Sequence, residues 1–255
     1  MDSRWRLRAG LAVLFLFITL LGWRSVAAWF ADDAGNLALF KGRSADAARW
    51  FRSGLQAEPG WGLLHEDLGR ALLATDPRSA LDEFRIAACG PACAAEEGDA
   101  LLRLGRRDEA IERYVASRAV VRVGQRAQEI AAAGDDHQAI ALETSLLARL
   151  HDSFLERAQL ASTYAALGDL ELGAAYRHPA EAAVLRRAAI GALRRASALA
   201  PFNERFLLLY AFAQIQWGDR AEARVAFQRL LRLHPHLAAA ESALSKLEGP
   251  RAPAP

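Results

Sequence analysis

The sequence predicts an all-α protein, a solenoid of about six helix-turn-helix units preceded by one transmembrane helix, and three observations lead there. Alanine, leucine and arginine, which favour helix, dominate the chain, and strand-type alternation of β-branched residues is hard to find. One pattern of small and large residues recurs along most of the chain. Ahead of it runs an uncharged stretch, Ala9 to Trp23.

The N-terminal element reads first. Residues 1–8 carry Arg4, Arg6 and Arg8, and the apolar run then continues past a single charge at Arg24 to "SVAAWFA", closed by Asp32 and Asp33. A span of about 20 apolar residues crosses a bilayer, with tryptophan favoured at its ends. Trp5, Trp23 and Trp29 sit where such a belt would lie. Residues 9–30 are therefore expected to form a signal-anchor helix, with residues 1–8 as a basic cytoplasmic N-terminus, since positive charge stays inside. The alternative is a signal peptide cut after Ala28, giving a soluble periplasmic module. Both readings send the remaining chain to the periplasm. The apolar residues go all the way round the helix, which argues against a buried helix of a soluble domain.

Of the 32 basic residues only Lys41 and Lys246 are lysine, and this arginine and alanine bias suggests a GC-rich bacterial source. A net charge of +2 singles out no class of partner.

The repeated pattern is an alanine, a large residue four later, a small or apolar residue three after that, and often a proline. It is Ala47, Phe51, Gly54 and Pro59 in the first unit, with Gly42 five before the alanine. Ala80, Phe84, Ala87 and Pro91 follow, then Gly105, Ala110, Tyr114 and Ser117. In the fourth unit Gly134, Ala139 and Leu146 hold register, but Glu143 takes the large position. Ala189, Leu193, Ala196 and Pro201 come next, and Gly218, Ala223, Phe227, Leu230 and Pro235 complete the set. First helices match as well, with Leu68 and Gly69 in one and Leu160, Ala161, Tyr164 and Gly168 in another.

This resembles the tetratricopeptide repeat (TPR). In that family the alanine lets two helices approach closely and the large residue fills the gap to the next unit. Glycine ends the first helix and proline the second. The resemblance covers about Ala31 to Pro235 and implies a solenoid over 31–248. The alanines of the fourth and fifth units are separated by about 16 residues more than the repeat of 34 allows. The excess falls in an insertion around 174–189, where His178 and Pro179 interrupt or restart a helix. After Pro235, residues 236–248 read as a capping helix over the last apolar face, and 249–255 as a disordered tail.

No catalytic motif emerges. The six histidines show no HExxH spacing, "HEDLG" at His65 lacks a second histidine, and no Walker loop or GxSxG elbow is present. The chain is read as no enzyme, with no cofactor and no metal. The TPR resemblance implies protein partners, membrane or periplasmic, held on a face lined by the first helix of each unit. With Gly69, Ala161 and Tyr210-Ala211 as register marks, the groove candidates are Glu66, Arg70, Asp99, Arg103, Ser162, Arg205, Phe212 and Gln216. TPR domains that clamp chaperone C-termini use a lysine and asparagine framework, and Asp32 stands where its first lysine would fall, which disfavours that partner class.

Arg186, Arg187, Arg194 and Arg195 form a candidate basic patch for an acidic partner or anionic lipid, against the alternative of a solvated face. Aromatic interleaving for base stacking is missing, so nucleic acid is not expected. Cys89 and Cys93, in "CGPAC", are either a disulfide across a turn or two small packing residues, because CxxC spacing and further zinc ligands are absent. The functional expectation is a membrane-anchored periplasmic scaffold in an envelope assembly. Protein translocation, cytochrome c maturation and surface-polysaccharide synthesis are the settings the resemblance implies. The rival is an envelope enzyme or carbohydrate-modifying protein using the inserted segment around His178.

Overall fold

The computed structural model describes residues 3–150 and 156–248, with side chains from residue 22 onward and at Thr19. The tail expected over 249–255 lies outside the described residues, as do the side chains of residues 1–18. Among the described residues every regular element is helical.

The large-residue pattern becomes six helix pairs. They are α1 (Ser3–Phe40) with α2 (Ser44–Ala57), α3 (Gly62–Leu72) with α4 (Pro77–Ala87), and α5 (Ala94–Arg103) with α6 (Arg107–Ala116). These make one compact unit, ending at Arg118. A second unit begins at Ala119 and holds α7 (Val120–Ala132) with α8 (Asp136–Leu147), α9 (Arg157–Arg177) with α10 (Ala182–Leu199), and α11 (Glu204–Trp217) with α12 (Arg220–Leu233). There α13 (Ala238–Glu248) covers the α11/α12 core with Ala240 and Ala243, within the segment read as a cap.

The six patterned alanines, Ala47, Ala80, Ala110, Ala139, Ala189 and Ala223, are all 0% exposed. Only a methyl group fits where the two backbones of a pair meet, and close-packed interiors leave no slack there. The large residues four later are buried equally well, and in the first compact unit each sits against a glycine of the preceding helix. A Cβ on Gly69 would meet the Phe84 ring at 2.6 Å, and one on Gly98 would meet Tyr114 at 2.9 Å. Gly35 of α1 stands in the same relation to Phe51.

Helix ends follow local chemistry. Asp76, Asp135, Asn203 and Asp219 cap α4, α8, α11 and α12 by accepting from backbone N–H groups of the first turn, as at Asp76 from Ser79 N at 3.1 Å. Gly42, Gly105 and Gly134 end α1, α5 and α7 with φ of 70°, 73° and 97°, a region open to glycine at little cost.

Two boundaries differ from the sequence reading. The expected anchor over 9–30 and the first repeat helix are one continuous α1, because nothing between residues 23 and 40 breaks a helix. From Arg24 onward α1 is fastened to α2: Arg24 Nε donates to Ala57 O at 2.7 Å, Ser25 Oγ donates to Glu58 at 2.8 Å, and Ala28 and Ala31 are buried. Among the described residues no helix is long and apolar enough to cross a membrane. Most of the 9–30 span falls on positions whose side chains lie outside that description. The extra residues expected around 174–189 lengthen both helices of the fifth pair, α9 to 21 residues and α10 to 18, with the turn at His178-Pro179 between them.

Candidate functional site

The second compact unit contains a recess of about 570 Å³ between its first helices. Val121, Gly124, Gln125 and Gln128 come from α7, and Gln159, Ser162 and Asp169 from α9. Asn203, just before α11, lines it together with Arg205, Phe206 and Leu209, and Glu143 of α8 reaches it from behind. Helical spacing explains this set: on α9, Gln159, Ser162, Ala166 and Asp169 recur every three or four residues and share one face.

The recess is mostly uncharged and rich in hydrogen-bonding groups. Ser162 Oγ donates to Ala158 O at 3.0 Å, and an exposed hydroxyl that donates in this way can still accept. Amide side chains such as Gln125, Gln128 and Gln159 carry both donors and an acceptor. The charges among its lining residues are Glu143, Asp169 and Arg205.

Glu143 is the anomaly. It occupies the large-residue position, only 1% exposed, and among the described residues neither carboxyl oxygen has a hydrogen-bond partner. Burial pushes its pKa up to about 7. Glu171, 7% exposed on α9, is likewise pushed up to about 7 by burial, and its Oε2 has no hydrogen-bond partner among the described residues. The sequence marked Glu143 as a departure from the repeat; its burial and its access to the recess were not foreseen.

The groove candidates divide. Ser162 and Arg205 line the recess together. Phe212, 41% exposed, packs edge-on against Phe227 at 5.3 Å, and Gln216 is exposed outside the recess lining. In the first compact unit Glu66 and Arg70 pair with each other, and Arg70 also donates to Asp67 at 2.8 Å. Asp99 is 2% exposed and accepts from Tyr114 Oη at 2.5 Å, so it holds α5 to α6. Arg103 is exposed.

The arginine patch is partly spent on packing. Arg186 stacks over Trp217 at 5.4 Å and Arg195 over Tyr164 at 5.6 Å, donating to its hydroxyl at 2.9 Å. Arg187 and Arg194 stay exposed. His178 approaches Asp136 at 3.0 Å, beside a bidentate Arg177. Hydrogen bonding from Arg177 first, and from His178 after it, holds the buried Asp136 carboxyl below its ordinary range. His178 thus ties the α9/α10 turn to the start of α8.

Cys89 and Cys93 are joined as a disulfide across the Gly90-Pro91-Ala92 turn, with Cα atoms 5.5 Å apart. With Glu66 they form the one group of three metal-type donors among the described residues. Joined sulfurs are not thiolates, so the group as it stands is no ligand set. A second depression, about 770 Å³ and open, is lined by Arg24, Ser25, Glu58 and Trp61, whose polar groups largely satisfy one another.

No protein-family model and no curated protein matches the chain. Solved structures similar to it include the APC/C hetero-tetramer Cut9-Hcn1, with a TM-score of 0.43 and 18% identity over 92% of this chain. The chain spans 46% of that protein's length. Pseudomonas aeruginosa pilF follows with a TM-score of 0.39 and 20% identity, covering 86% of this chain and 97% of its own. YrrB, described as a TPR protein with an unusual peptide-binding site, has a TM-score of 0.32 and 11% identity, covering 84% of this chain and 89% of its own. The likeness at these identities is one of all-α fold class.

Proposed function

We propose that the chain is a membrane-anchored periplasmic scaffold of TPR type, which holds a partner protein in a cell-envelope assembly through its second compact unit. The observation that carries the binding role is the recess between α7, α9 and α11, where exposed amides and hydroxyls surround apolar floor residues. Such a surface matches an extended polypeptide, whose backbone needs donors and acceptors in alternation while its side chains need apolar pockets. Protein translocation, cytochrome c maturation and surface-polysaccharide synthesis are envelope processes that would use it.

The anchor rests on the uncharged run Ala9 to Trp23 with arginines before it. From Trp5 to Trp23 a helix rising about 1.5 Å per residue reaches roughly 27 Å, close to a hydrocarbon core. Arg24, bonded to the α2 terminus, then stands at the outer interface.

The test is crosslinking in intact membranes. A photoreactive residue at Ser162 is expected to capture a defined protein that the same residue at Val225, exposed on α12, does not. Equal capture at both positions would remove the recess as the binding surface.

A further inference from the structure

We infer that the recess of the second compact unit selects a polypeptide segment carrying a lysine or arginine, whose cationic group is received by Glu143. This rests on the scaffold reading and names the chemistry of the partner.

In the other five pairs the position equivalent to Glu143 holds Phe51, Phe84, Tyr114, Leu193 or Phe227, each fully buried. Glu143 is the one acidic residue in that set, and among the described residues neither of its oxygens has a hydrogen-bond partner. An unpartnered buried carboxylate is expensive, by several kcal/mol in general, unless a cation or strong donor meets it. Among the described residues no side chain does so. Arg205, the basic residue among the lining residues, is exposed at the α11 side and makes no bond to the Glu143 carboxyl.

The carboxyl lies just beneath the recess wall on the α7 side, with both oxygens covered. A Cβ on residue 124 would stand 3.3 Å from Glu143 Oε1, so the cover between the carboxyl and the recess at this point is a glycine without a side chain, and a cation reaches the carboxyl by a small local shift there. Asp169 adds a second carboxylate to the lining, against the single guanidinium of Arg205. The stem of a lysine or arginine is apolar and can pass Phe206 and Leu209 with its charge at the far end. The amides of Gln125, Gln128 and Gln159 are placed to take the backbone of the segment that carries it.

The experiment uses the full chain in detergent with fluorescein-labelled ten-residue peptide pools, fixed at the central position as Lys, Arg, Ala or Glu. The Lys or Arg pool is expected to bind at least ten-fold tighter than the Ala pool, and the Glu pool more weakly still. Glu143→Gln keeps the shape without the charge and is expected to erase that preference while its helicity and Tm match or exceed those of the parent. Glu143→Leu, which restores the repeat residue, should do the same and exposes any fault peculiar to Gln. Pools that bind alike, or a preference that survives both variants, would overturn the cationic anchor and leave the scaffold reading standing. If no pool binds, the anchor fails, and the outcome of crosslinking at Ser162 decides the scaffold reading separately.

Discussion

At the residue scale, two carboxyls govern how stability responds to pH. Glu143 and Glu171 both keep their protons to about pH 7 in the folded chain, against an ordinary value of 4.5. Between those limits the folded state binds more protons than the unfolded one, so the free energy of unfolding falls as pH rises. The loss is complete above about pH 7, and for a shift of this size it is of order 3 kcal/mol per group. Urea unfolding in detergent at pH 5 and pH 8 is expected to show lower stability at pH 8, and Glu143→Gln to remove about half of the difference. Stability that rises toward pH 8 would mean that these carboxyls are solvated. The buried Asp136 acts in the opposite sense and at lower pH, because Arg177 holds its pKa down. The sequence showed that Glu143 broke a pattern; it could not show that a buried site tolerates the break, since that depends on what α7 and α9 place around it.

At the element scale, the pattern carried the pairs because each patterned position does one physical job. Ala139 keeps α8 tight against α7 whether or not the next position is aromatic, so even the fourth pair was legible. The first helix was hidden. Gly35 packs against Phe51 as its counterparts do, but α1 runs on from an apolar span and no turn marks where one role ends. The fifth pair was half legible: His178 and Pro179 gave the break, while two lengthened helices leave no punctuation to say how the extra residues divide. Caps and the staple give the tests at this scale. Asp76→Ala removes the Ser79 N–H contact that starts α4 and is expected to cost about 1 kcal/mol, read as a shift in the urea midpoint at constant slope. Reducing Cys89 and Cys93 opens a very short loop, so the stability lost should be about 2 kcal/mol or less. Chain purified from an oxidising compartment should resist thiol alkylation under denaturing conditions until a reductant is added.

At the scale of the whole molecule, each helix pair buries an apolar face only if a neighbour lies on it, and for the α11/α12 pair that neighbour is α13. Phe227 and Leu230 of α12 are 0% exposed, with Leu237, just before α13, and Leu244 and Leu247 of α13 packed on the same cluster. A chain stopped after Pro235 would lay that surface bare. At roughly 1.5 to 3 kcal/mol for each large side chain fully buried, and less for these partly buried leucines, the loss is on the order of 4 kcal/mol. It would fall on the second compact unit, which holds α13 and the recess, because contacts in repeat arrays are local. The expected result is a lowered unfolding midpoint with protection lost first from α11 and α12 in hydrogen exchange, while amides of α3 to α6 keep their rates. Peptide affinity at the recess should weaken with it, since Asn203, Arg205 and Phe206 are positioned by the α11/α12 pair. Uniform loss of protection across α3 to α12 would instead mean that the two compact units fold as one, and that the cap supports the whole chain.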